Sequence, residues 1–243
     1  MLLTEGVVYY QELAHFFPEV STMTLRRDIE SLVLEGAAIR IKNGARQPSS
    51  DEESAKERIY ERRQKENIDI KVRMAKAALP FIEEGRSIYL DAGTTMLELV
   101  KFLPDIHLNI ISSCPQITLK AIEKENCTVN IVGGSINRDN CAISGAAAVA
   151  FIKDINIDTA FLVPSGYSGK SGLTVGNYLE AELKRTVIKK ADKVIILLGA
   201  YKTARTMPFT FASLKDVDCV ITDLASNLKI GKSIKKKIQV ITV

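Results

Sequence analysis

The chain has 243 residues, of which 46% are hydrophobic and 26% charged, a composition that is ordinary for a globular protein. It shows no apolar run long enough to cross a membrane and no secretory signal, so a cytoplasmic location is expected. The formal net charge of +4 is too small to indicate nucleic-acid binding by itself. The two histidines and four scattered cysteines show no metal-ligand spacing, so neither a metal nor a cofactor is expected.

The first predicted element is a short helix. In "YYQELAHFF" the apolar side chains of Tyr9, Leu13, Phe16 and Phe17 are predicted to form one helical face. Pro18 cannot continue a helix, so "PEVS" is predicted to be a turn that leads into a second helix.

The second helix is predicted to begin after Ser21, whose hydroxyl can accept a hydrogen bond from a first-turn amide. Its apolar positions recur at helical spacing: Leu25, Ile29, Leu32 and Val33. Arg26 and Arg27 leave the helix about 100° apart, so they could straddle a groove but cannot both serve one small ligand. Taken alone, this helix fits an amphipathic helix with a solvated polar face at least as well.

A basic hairpin follows the two helices. In "GAAIRIKNGAR" Ile39 and Ile41 alternate with Arg40 and Lys42, and Asn43-Gly44 is a strong hairpin signal. A basic hairpin behind a helix-turn-helix is typical of a wing. Together with the hydroxyls and arginines of the second helix, it favours phosphate contacts and insertion into the major groove of DNA.

The remaining chain alternates strands with helices. Residues 47–66 are polar with charges of both signs, and are predicted to be a linker that passes into an exposed helix. Strands are predicted at 87–91, 108–113, 129–134, 158–163, 194–199, 219–223 and 238–243, and helices at 68–85, 95–103, 116–125 and 179–191. This alternation predicts a mostly parallel, Rossmann-like α/β sheet covered by helices on both faces.

The stretch "YLDAGTTML" is predicted to bind phosphate. Asp91 ends a strand, Gly93 allows a close backbone approach, and Thr94 and Thr95 open a helix whose amides and dipole favour an anion. Open α/β sheets bind ligands at this carboxyl edge. A simple capped turn between strand and helix would show the same pattern.

Two further loops follow predicted strands and could converge on the same pocket. They are "VGGS" at 132–135 and "PSGYSGKSGLT" at 164–174. The "GKS" at 169–171 is not a P-loop, because Pro164 stands where that motif requires a glycine.

Residues 20–46, "VSTMTLRRDIESLVLEGAAIRIKNGAR", resemble the winged helix-turn-helix of DeoR-type bacterial transcription regulators. The resemblance implies a DNA-binding domain over 1–46. The family usually has a full first helix before this motif, and "MLLTEG" is too short to supply it. The residues expected to contact double-stranded operator DNA are Ser21, Thr22, Thr24, Arg26, Arg27, Arg40 and Lys42.

The rest of the chain resembles the C-terminal sensor of the same regulators, through "KVRMAKAALPFIEEGRSIYLDAGTT", "VGGSINRDNCAISG" and "EAELKRTVIKKADKVIILL" in order. The resemblance implies an effector-sensing domain over 67–243 with a fold similar to ribose-phosphate isomerases and CoA transferases. It also implies a phosphorylated sugar or related metabolite as effector. The implied pocket residues are Asp91, Gly93, Thr94, Thr95, Gly133, Gly134, Ser165, Gly166, Tyr167, Lys184 and Lys202.

One departure falls in this pocket. The sequence reads "GAYK" where the family often has Asp-x-Ser-Lys, so Gly199 and Tyr201 replace an acidic and a hydroxyl residue. Either the effector or its placement in the pocket is therefore expected to differ from that of other members of the family.

The expected function is a transcription regulator, in particular a repressor, that is not an enzyme and acts as a homodimer or homotetramer, since operators are usually read by dimers. The alternative is a sugar-phosphate isomerase or transferase with a vestigial N-terminal head. Isomerisation needs a positioned base, and residues 163–166 carry no acid where isomerases of this fold keep theirs. Glu180 and Glu182 follow on the next helix, which keeps the alternative open.

Overall fold

The structure is a computed structural model that describes residues 7–34, 38–46, 63–138, 140–203, 205–223 and 238–243. The chain divides into two compact units, Met1–Glu61 and Arg62–Val243. The shortened first helix expected in residues 1–6 and most of the predicted linker, residues 47–62, lie outside the described residues.

In the part of the N-terminal unit that the structure describes, two helices combine with a three-stranded antiparallel sheet. Its elements are β1 (Val7–Tyr9), α1 (Tyr10–Phe16), α2 (Thr22–Leu34), β2 (Ile39–Ile41) and β3 (Gly44–Arg46). The predicted helix-turn-helix and hairpin are thus confirmed. The sequence did not predict β1, because three residues are too few for a detectable alternation and the strand exists through its pairing with the distant β3.

The predicted apolar face of the first helix is wrong in part. Leu13 is buried, but Tyr9, Phe16 and Phe17 are exposed. Tyr9 ends β1, so the helix begins one residue later and its inner face includes Tyr10. The buried core of the unit is Val8, Leu13, Leu25, Ile29, Ala38 and Ala45.

The apolar stripe predicted for α2 is confirmed at its first two positions. Leu25 and Ile29 are buried, whereas Leu32 is 36% exposed and does not belong to the core. The side chain of Val33 lies outside the described residues.

The hairpin turn lies one residue earlier than the Asn-Gly signal suggests. Ile41 pairs with Gly44, so the turn residues are Lys42 and Asn43, and Asn43 has a positive φ of 66°. A Cβ atom on Gly44 would lie 2.1 Å from the carbonyl oxygen of Val8. Gly44 is therefore needed so that β1 can approach the hairpin.

Replacing Gly44 by alanine is expected to separate β1 from β3, because the added methyl group overlaps the Val8 carbonyl. Overpacking of this kind costs about 1–3 kcal/mol. Hydrogen exchange should show faster exchange of the Tyr10 amide, which donates to the Asn43 carbonyl at 2.9 Å. Gly169→Ala, where a Cβ meets no atom within 4 Å, is the control, and unchanged exchange in Gly44→Ala would contradict the prediction.

The second unit is built on a seven-stranded sheet in the order β15-β14-β12-β9-β4-β5-β6, with all neighbouring strands parallel. Between residues 68 and 223, its described α-helices are α3 (Ile68–Ala78), α4 (Thr94–Phe102), α5 (Pro115–Ala121), α6 (Ala146–Lys153) and α7 (Tyr178–Lys190). The sheet strands are β4 (Ser87–Leu90), β5 (Leu108–Ser112), β6 (Cys127–Ile131), β9 (Ile157–Leu162), β12 (Ala191–Leu197), β14 (Cys219–Thr222) and β15 (Gln239–Thr242). All seven predicted strands and their parallel arrangement are confirmed.

Smaller elements decorate this sheet. The short strands are β7 (Ser135–Ile136), β8 (Ile143–Ser144), β10 (Gly166–Ser168), β11 (Gly172–Val175) and β13 (Phe209–Ala212), and 3-10 turns cover Leu79–Phe81, Ala200–Lys202 and Leu214–Asp216. The "PSGYSGKSGLT" segment, predicted to be a loop, instead contains the β10–β11 hairpin, which β13 extends to a three-stranded sheet. The helix predicted over 68–85 ends at Ala78, and Pro80, which has no amide to donate, lies in the following 3-10 turn.

The core lies on both faces of the sheet. Successive strand residues point to opposite sides, so Ile88 and Leu90 face one layer while Tyr89 faces the other. Helices α3, α4 and α5 cover the first face, and α6 and α7 cover the second. Within the described ranges, none of the helices is long and apolar enough to cross a membrane.

Candidate functional site

Hydroxyl side chains mark the start of α2. The Oγ of Ser21 accepts a hydrogen bond from the Thr24 amide at 3.1 Å, which confirms the predicted cap. The hydroxyls of Ser21 and Thr24 are 2.8 Å apart, and Thr22 beside them is exposed. These groups are available to hydrogen-bond an anion such as a DNA phosphate.

Two exposed arginines follow these hydroxyls. The guanidinium of Arg26 lies 5.4 Å from the ring centroid of Tyr10, a cation–π contact that holds it against α1. Arg27 is exposed on the next face of the helix. The structure thus presents one arginine that is held in place and one that extends into solvent.

The basic side chains of the wing are also exposed. Lys42 lies at the hairpin turn, and Arg40 pairs with Glu30 at 3.3 Å. Because both partners of this pair are more than half exposed, it contributes only about 0–1 kcal/mol, so a phosphate can compete for Arg40.

The second candidate site lies at the carboxyl edge of the seven-stranded sheet. All strands of this sheet run in the same direction, so their carboxyl ends meet at one edge. Asp91 follows β4, Val163 follows β9 and Lys202 follows β12. Strand β9 lies between β4 and β12, so these three segments are adjacent.

A buried ion-pair network anchors this edge. The Nζ of Lys184 donates to Asp91 Oδ2 and, at 3.1 Å, to the Val163 carbonyl, and lies 3.3 Å from Glu180 Oε1. The Val163 amide donates to the same Asp91 oxygen at 2.9 Å, and Asn140 Nδ2 donates to Glu180 Oε2 at 3.0 Å. The network ties β4, β9 and α7 together.

The charges of this network are held by their partners. Burial disfavours the charged form of Lys184, but Asp91 and Glu180 together outweigh it and raise the pKa of its ammonium. Burial raises the pKa of Asp91, although the Lys184 charge opposes the shift. Lys184 therefore stays protonated beneath the pocket.

The backbone at the start of α4 packs closely against Val163. Gly93 has a φ of 153°, and a Cβ atom there would lie 2.7 Å from Cγ2 of Val163. Thr94 is half-buried and Thr95 is buried at the first two positions of the helix. The first-turn amides and the helix dipole attract negative charge at this point.

Tyr201 lies over the same helix start. Its side chain is hydrogen-bonded to that of Thr95, and burial raises the pKa of its phenol. A Cβ atom on Gly199 would lie 2.4 Å from Cε1 of the Tyr201 ring. The two departures from the family pattern therefore fit each other, because the glycine makes room for the tyrosine.

Basic groups gather around Lys202. Its pKa is lowered to about 7, first by burial and then by the charges of Lys184, Lys71 and Arg63, while Asp91 opposes the shift. Sequence reasoning missed Lys71 and Arg63, because the first resembled a surface lysine of an amphipathic helix and the second fell in the presumed linker. The protonated form of Lys202 is thus disfavoured in the free protein, and an added anion would stabilise it.

The other predicted pocket residues flank this centre. Ser165, Gly166 and Tyr167 follow β9, and Tyr167 is buried. A Cβ on Gly166 would lie 2.2 Å from the Arg205 carbonyl oxygen, so this glycine serves backbone packing.

Gly133 and Gly134 lie farther from the centre. They follow β6, which is two strands and therefore roughly 10 Å from β4. Gly134 has a φ of 140°, and a Cβ there would lie 2.5 Å from the Ser144 carbonyl oxygen. The approach of β8 explains this glycine without a ligand.

Comparisons with known proteins identify two domains in this chain. Residues 1–51 match the DeoR-like helix-turn-helix domain and residues 66–224 the DeoR C terminal sensor domain. The HTH-type transcriptional regulator GlpR of Haloferax volcanii is 31% identical over 204 residues, 84% of this chain and 78% of that protein. The HTH-type transcriptional repressor GlcR of Bacillus subtilis is 27% identical over 209 residues, 86% of this chain and 80% of that protein.

A solved structure of ribose 5-phosphate isomerase A from Methanocaldococcus jannaschii is 16% identical, with a TM-score of 0.42 over 56% of this chain and 55% of that chain. This likeness is too weak to carry a functional conclusion. The two domain matches and the named regulators are decisive: the chain belongs to the DeoR family of transcription regulators, with a DNA-binding helix-turn-helix followed by a sensor domain.

Proposed function

We propose that this chain is a cytoplasmic repressor whose DNA affinity falls when a phosphorylated sugar or related metabolite binds. Residues 1–46 would bind operator DNA and residues 67–243 would sense the effector. Residues 47–66 would connect these two domains. The observation that carries the proposal is the concentration of basic groups around Lys202 at the carboxyl edge of the sheet. The name of GlcR as a repressor supports the sign of the regulation.

The proposed DNA contacts divide into two sets. Exposed hydroxyls at the start of α2 and the wing side chains would hold the phosphate backbone, and the α2 arginines would reach into the major groove. The residues concerned are Ser21, Thr22, Thr24, Arg26, Arg27, Arg40 and Lys42. Binding as a homodimer or homotetramer would give two linked heads the affinity that operator recognition requires.

In the proposed effector complex the phosphate lies between the start of α4 and Lys202. The Thr94 and Thr95 groups and the ammonium of Lys202 would bind it directly. Asp91 would act by positioning Lys184, because a carboxylate in direct contact would repel the phosphate. Ser165 and Tyr167, which follow β9, are proposed to surround the rest of the effector together with Gly93. Gly166 is proposed to keep the backbone beside them in place, and Gly133 and Gly134 would reach only a part of the effector that extends toward β6.

We propose a sensor rather than an isomerase or transferase, because the two buried acids at the site, Asp91 and Glu180, are already paired with Lys184. Glu180 pairs with Lys184 at 3.3 Å and accepts from Asn140 at 3.0 Å, so it is a poor general base. A panel of pentose and hexose phosphates should show no turnover. Turnover that Glu180→Gln abolishes would overturn this part of the proposal.

The proposal is tested by fluorescence anisotropy on DNA from upstream of the protein's own gene, over a salt series. Binding should be tighter than to a random duplex and should weaken with salt, since counterions are released. Lys202→Met should keep DNA binding but lose the response to the effector, while exposed Lys189→Met should keep both. Binding no tighter than to a random duplex would count against it.

The pH dependence of anion binding gives a separate prediction, with sulfate as a probe because it stays a dianion. Lys202 has a pKa of about 7 in the free protein, and an anion favours its protonated form. Sulfate affinity should therefore be flat below pH 7 and fall above it, by at most about tenfold per pH unit. Titration calorimetry at pH 6, 7 and 8 measures this, and Lys202→Met should remove the fall. Affinity that rises with pH would contradict the assignment.

A further inference from the structure

The seven-stranded sheet ends in a strand with an open side. β6 pairs with β5 on one side, and within the described ranges no strand pairs with its other side. Directly after β6, the Val132 amide donates to the Ser112 carbonyl of β5 at 3.0 Å. Because backbone groups point to alternating sides along a strand, the amides and carbonyls of Val129 and Ile131 point away from β5. These groups are placed to hydrogen-bond a further strand.

β6 lacks the features that usually protect an edge strand. Such strands carry charged side chains, proline or a bulge that opposes pairing with another chain. Residues 126–137, "NCTVNIVGGSIN", contain no charged residue and no proline, although 26% of the chain is charged. The pairing with β5 is regular from Cys127 to Ile131, without a bulge. Nothing in β6 therefore opposes the addition of a strand.

Exposed isoleucines lie near both ends of β6. Ile131, at its carboxyl end, is 42% exposed on the face of the sheet where Val129 packs beneath α5. Ile122, which directly follows α5 and lies near the amino end of β6, is 67% exposed. α5 packs against α4 on one side, and the crossover from β5 to β6 is right-handed, so the flank of α5 with Ile122 is turned toward the open side of β6.

The two ends of β6 complement each other when a second copy pairs antiparallel about a two-fold axis at Val129. Val129 then lies opposite Val129 of the second copy as a hydrogen-bonded pair, and Ile131 lies opposite Cys127 of that copy. A two-fold axis perpendicular to the sheet keeps the α5 faces of both copies on the same side. Ile131 of each copy therefore meets Ile122 of the other. A charge at the centre of the strand would meet its own copy, and β6 carries none.

We propose that β6 is the surface through which two copies of this chain associate, by antiparallel pairing of their β6 strands about Val129. The two seven-stranded sheets then form one continuous sheet, and the isoleucine contacts close over both ends of the paired strands. This inference rests on the homodimer or homotetramer of the proposed function and names the surface that forms it.

The first test is sedimentation of the full chain over a concentration series. Ile131→Lys should raise the dissociation constant of the pair about tenfold to hundredfold, because it buries a charge against Ile122 of the second copy. The variant should therefore sediment at half the wild-type mass at concentrations where the wild type is associated. Leu179→Lys, an apolar residue 41% exposed at the start of α7 on the other face of the sheet, should associate like the wild type.

A compensating change tests the predicted contact directly. Adding Ile122→Glu to Ile131→Lys places opposite charges together at both ends of the paired strands. The double variant should associate more tightly than either single variant. Urea unfolding checks that each variant folds.

The second test is a disulfide between copies, which requires no disruptive change. The Cα atoms of a hydrogen-bonded antiparallel pair lie about 5.5 Å apart, within the range that a disulfide spans. Ile131→Cys, oxidised with copper phenanthroline, should therefore form a dimer linked to the natural Cys127 of the second copy, identified by peptide mass spectrometry. Positions 127 and 131 of one strand are about 13 Å apart, too far for a link within one chain. Leu179→Cys should give no link to Cys127.

The outcomes separate the two proposals. A wild-type chain that sediments as a monomer at all concentrations would overturn both the proposed oligomer and its surface. If the wild type associates but Ile131→Lys associates equally well, or Ile131→Cys gives no link to Cys127, the oligomer stands and β6 is not its surface.

Discussion

Replacing Lys184 by methionine should lower the free energy of unfolding by about 3–5 kcal/mol at pH 7, the cost of removing one partner from a buried ion pair. Lys184 is 1% exposed and forms ion pairs with both Asp91 and Glu180. Without its ammonium, two neighbouring carboxylates remain buried with no cation between them. Urea unfolding of the full chain measures the loss.

The pH dependence of this loss distinguishes buried charge from lost packing. Burial already raises the pKa of Asp91 in the folded protein, and removal of Lys184 raises it further. A group whose pKa is raised on folding loses stability as the pH rises and regains it as the pH falls. The destabilisation should therefore be smaller at pH 5 than at pH 7.

The matched control is Lys189→Met, an exposed lysine on the same helix, which should change stability by no more than about 0.5 kcal/mol. A Lys184→Met variant as stable as this control would contradict the ion-pair interpretation. A loss independent of pH would indicate that the lysine acts through packing alone.

Replacing Arg27 by alanine should weaken operator binding about tenfold to hundredfold if the side chain reads a base edge, a contact that contributes about 1–3 kcal/mol of discrimination. If it contacts only a phosphate, the affinity loss should be similar for all sequences and the salt slope should fall by about 0.9. Anisotropy on operator and random duplexes over a salt series separates the two cases. Arg27 is exposed, so the variant should unfold like the wild type.

A second α2 variant and a control variant complete this test. Arg26→Ala should also weaken binding, although part of its effect comes from losing the contact with Tyr10. Arg73→Ala removes an exposed arginine of the sensor unit and should leave DNA affinity unchanged. Wild-type affinity and salt slope in both α2 variants would contradict the proposed DNA-binding surface.

The elements that the sequence predicted well are those with strong local periodicity. The seven strands of the parallel sheet are apolar runs between turn signals, and α2, α4 and α7 carry helical spacing of apolar residues. Helix α6 was missed because "AAAVAFIK" is apolar throughout much of its length, so no amphipathic period distinguishes it from a connection. Strands of two to four residues, such as those of the pairs β7–β8 and β10–β11, are too short to show a detectable alternation of apolar and polar residues.

The candidate sites divide in the same way. Ser21 as a helix cap follows from residue type and near neighbours in the chain. The close contact of Gly93 is with Val163, which is distant in the chain, and the predicted approach of a ligand at Gly93 stays a prediction. The pairing of Lys184 with Asp91 joins residues 93 positions apart, and no local pattern indicates it.

By itself, the sequence determined the order of the seven strands of the parallel sheet and of most helices, the family, and the positions where a phosphate could meet a helix start. These features follow from periodicity and backbone conformation, which act over a few residues. Only the tertiary structure decided which charges meet: Lys71, Lys184 and Lys202 come from three separate segments. The physical reason is that electrostatic interaction depends on distance and burial in space, and these are set by the packing of the helices on the parallel sheet.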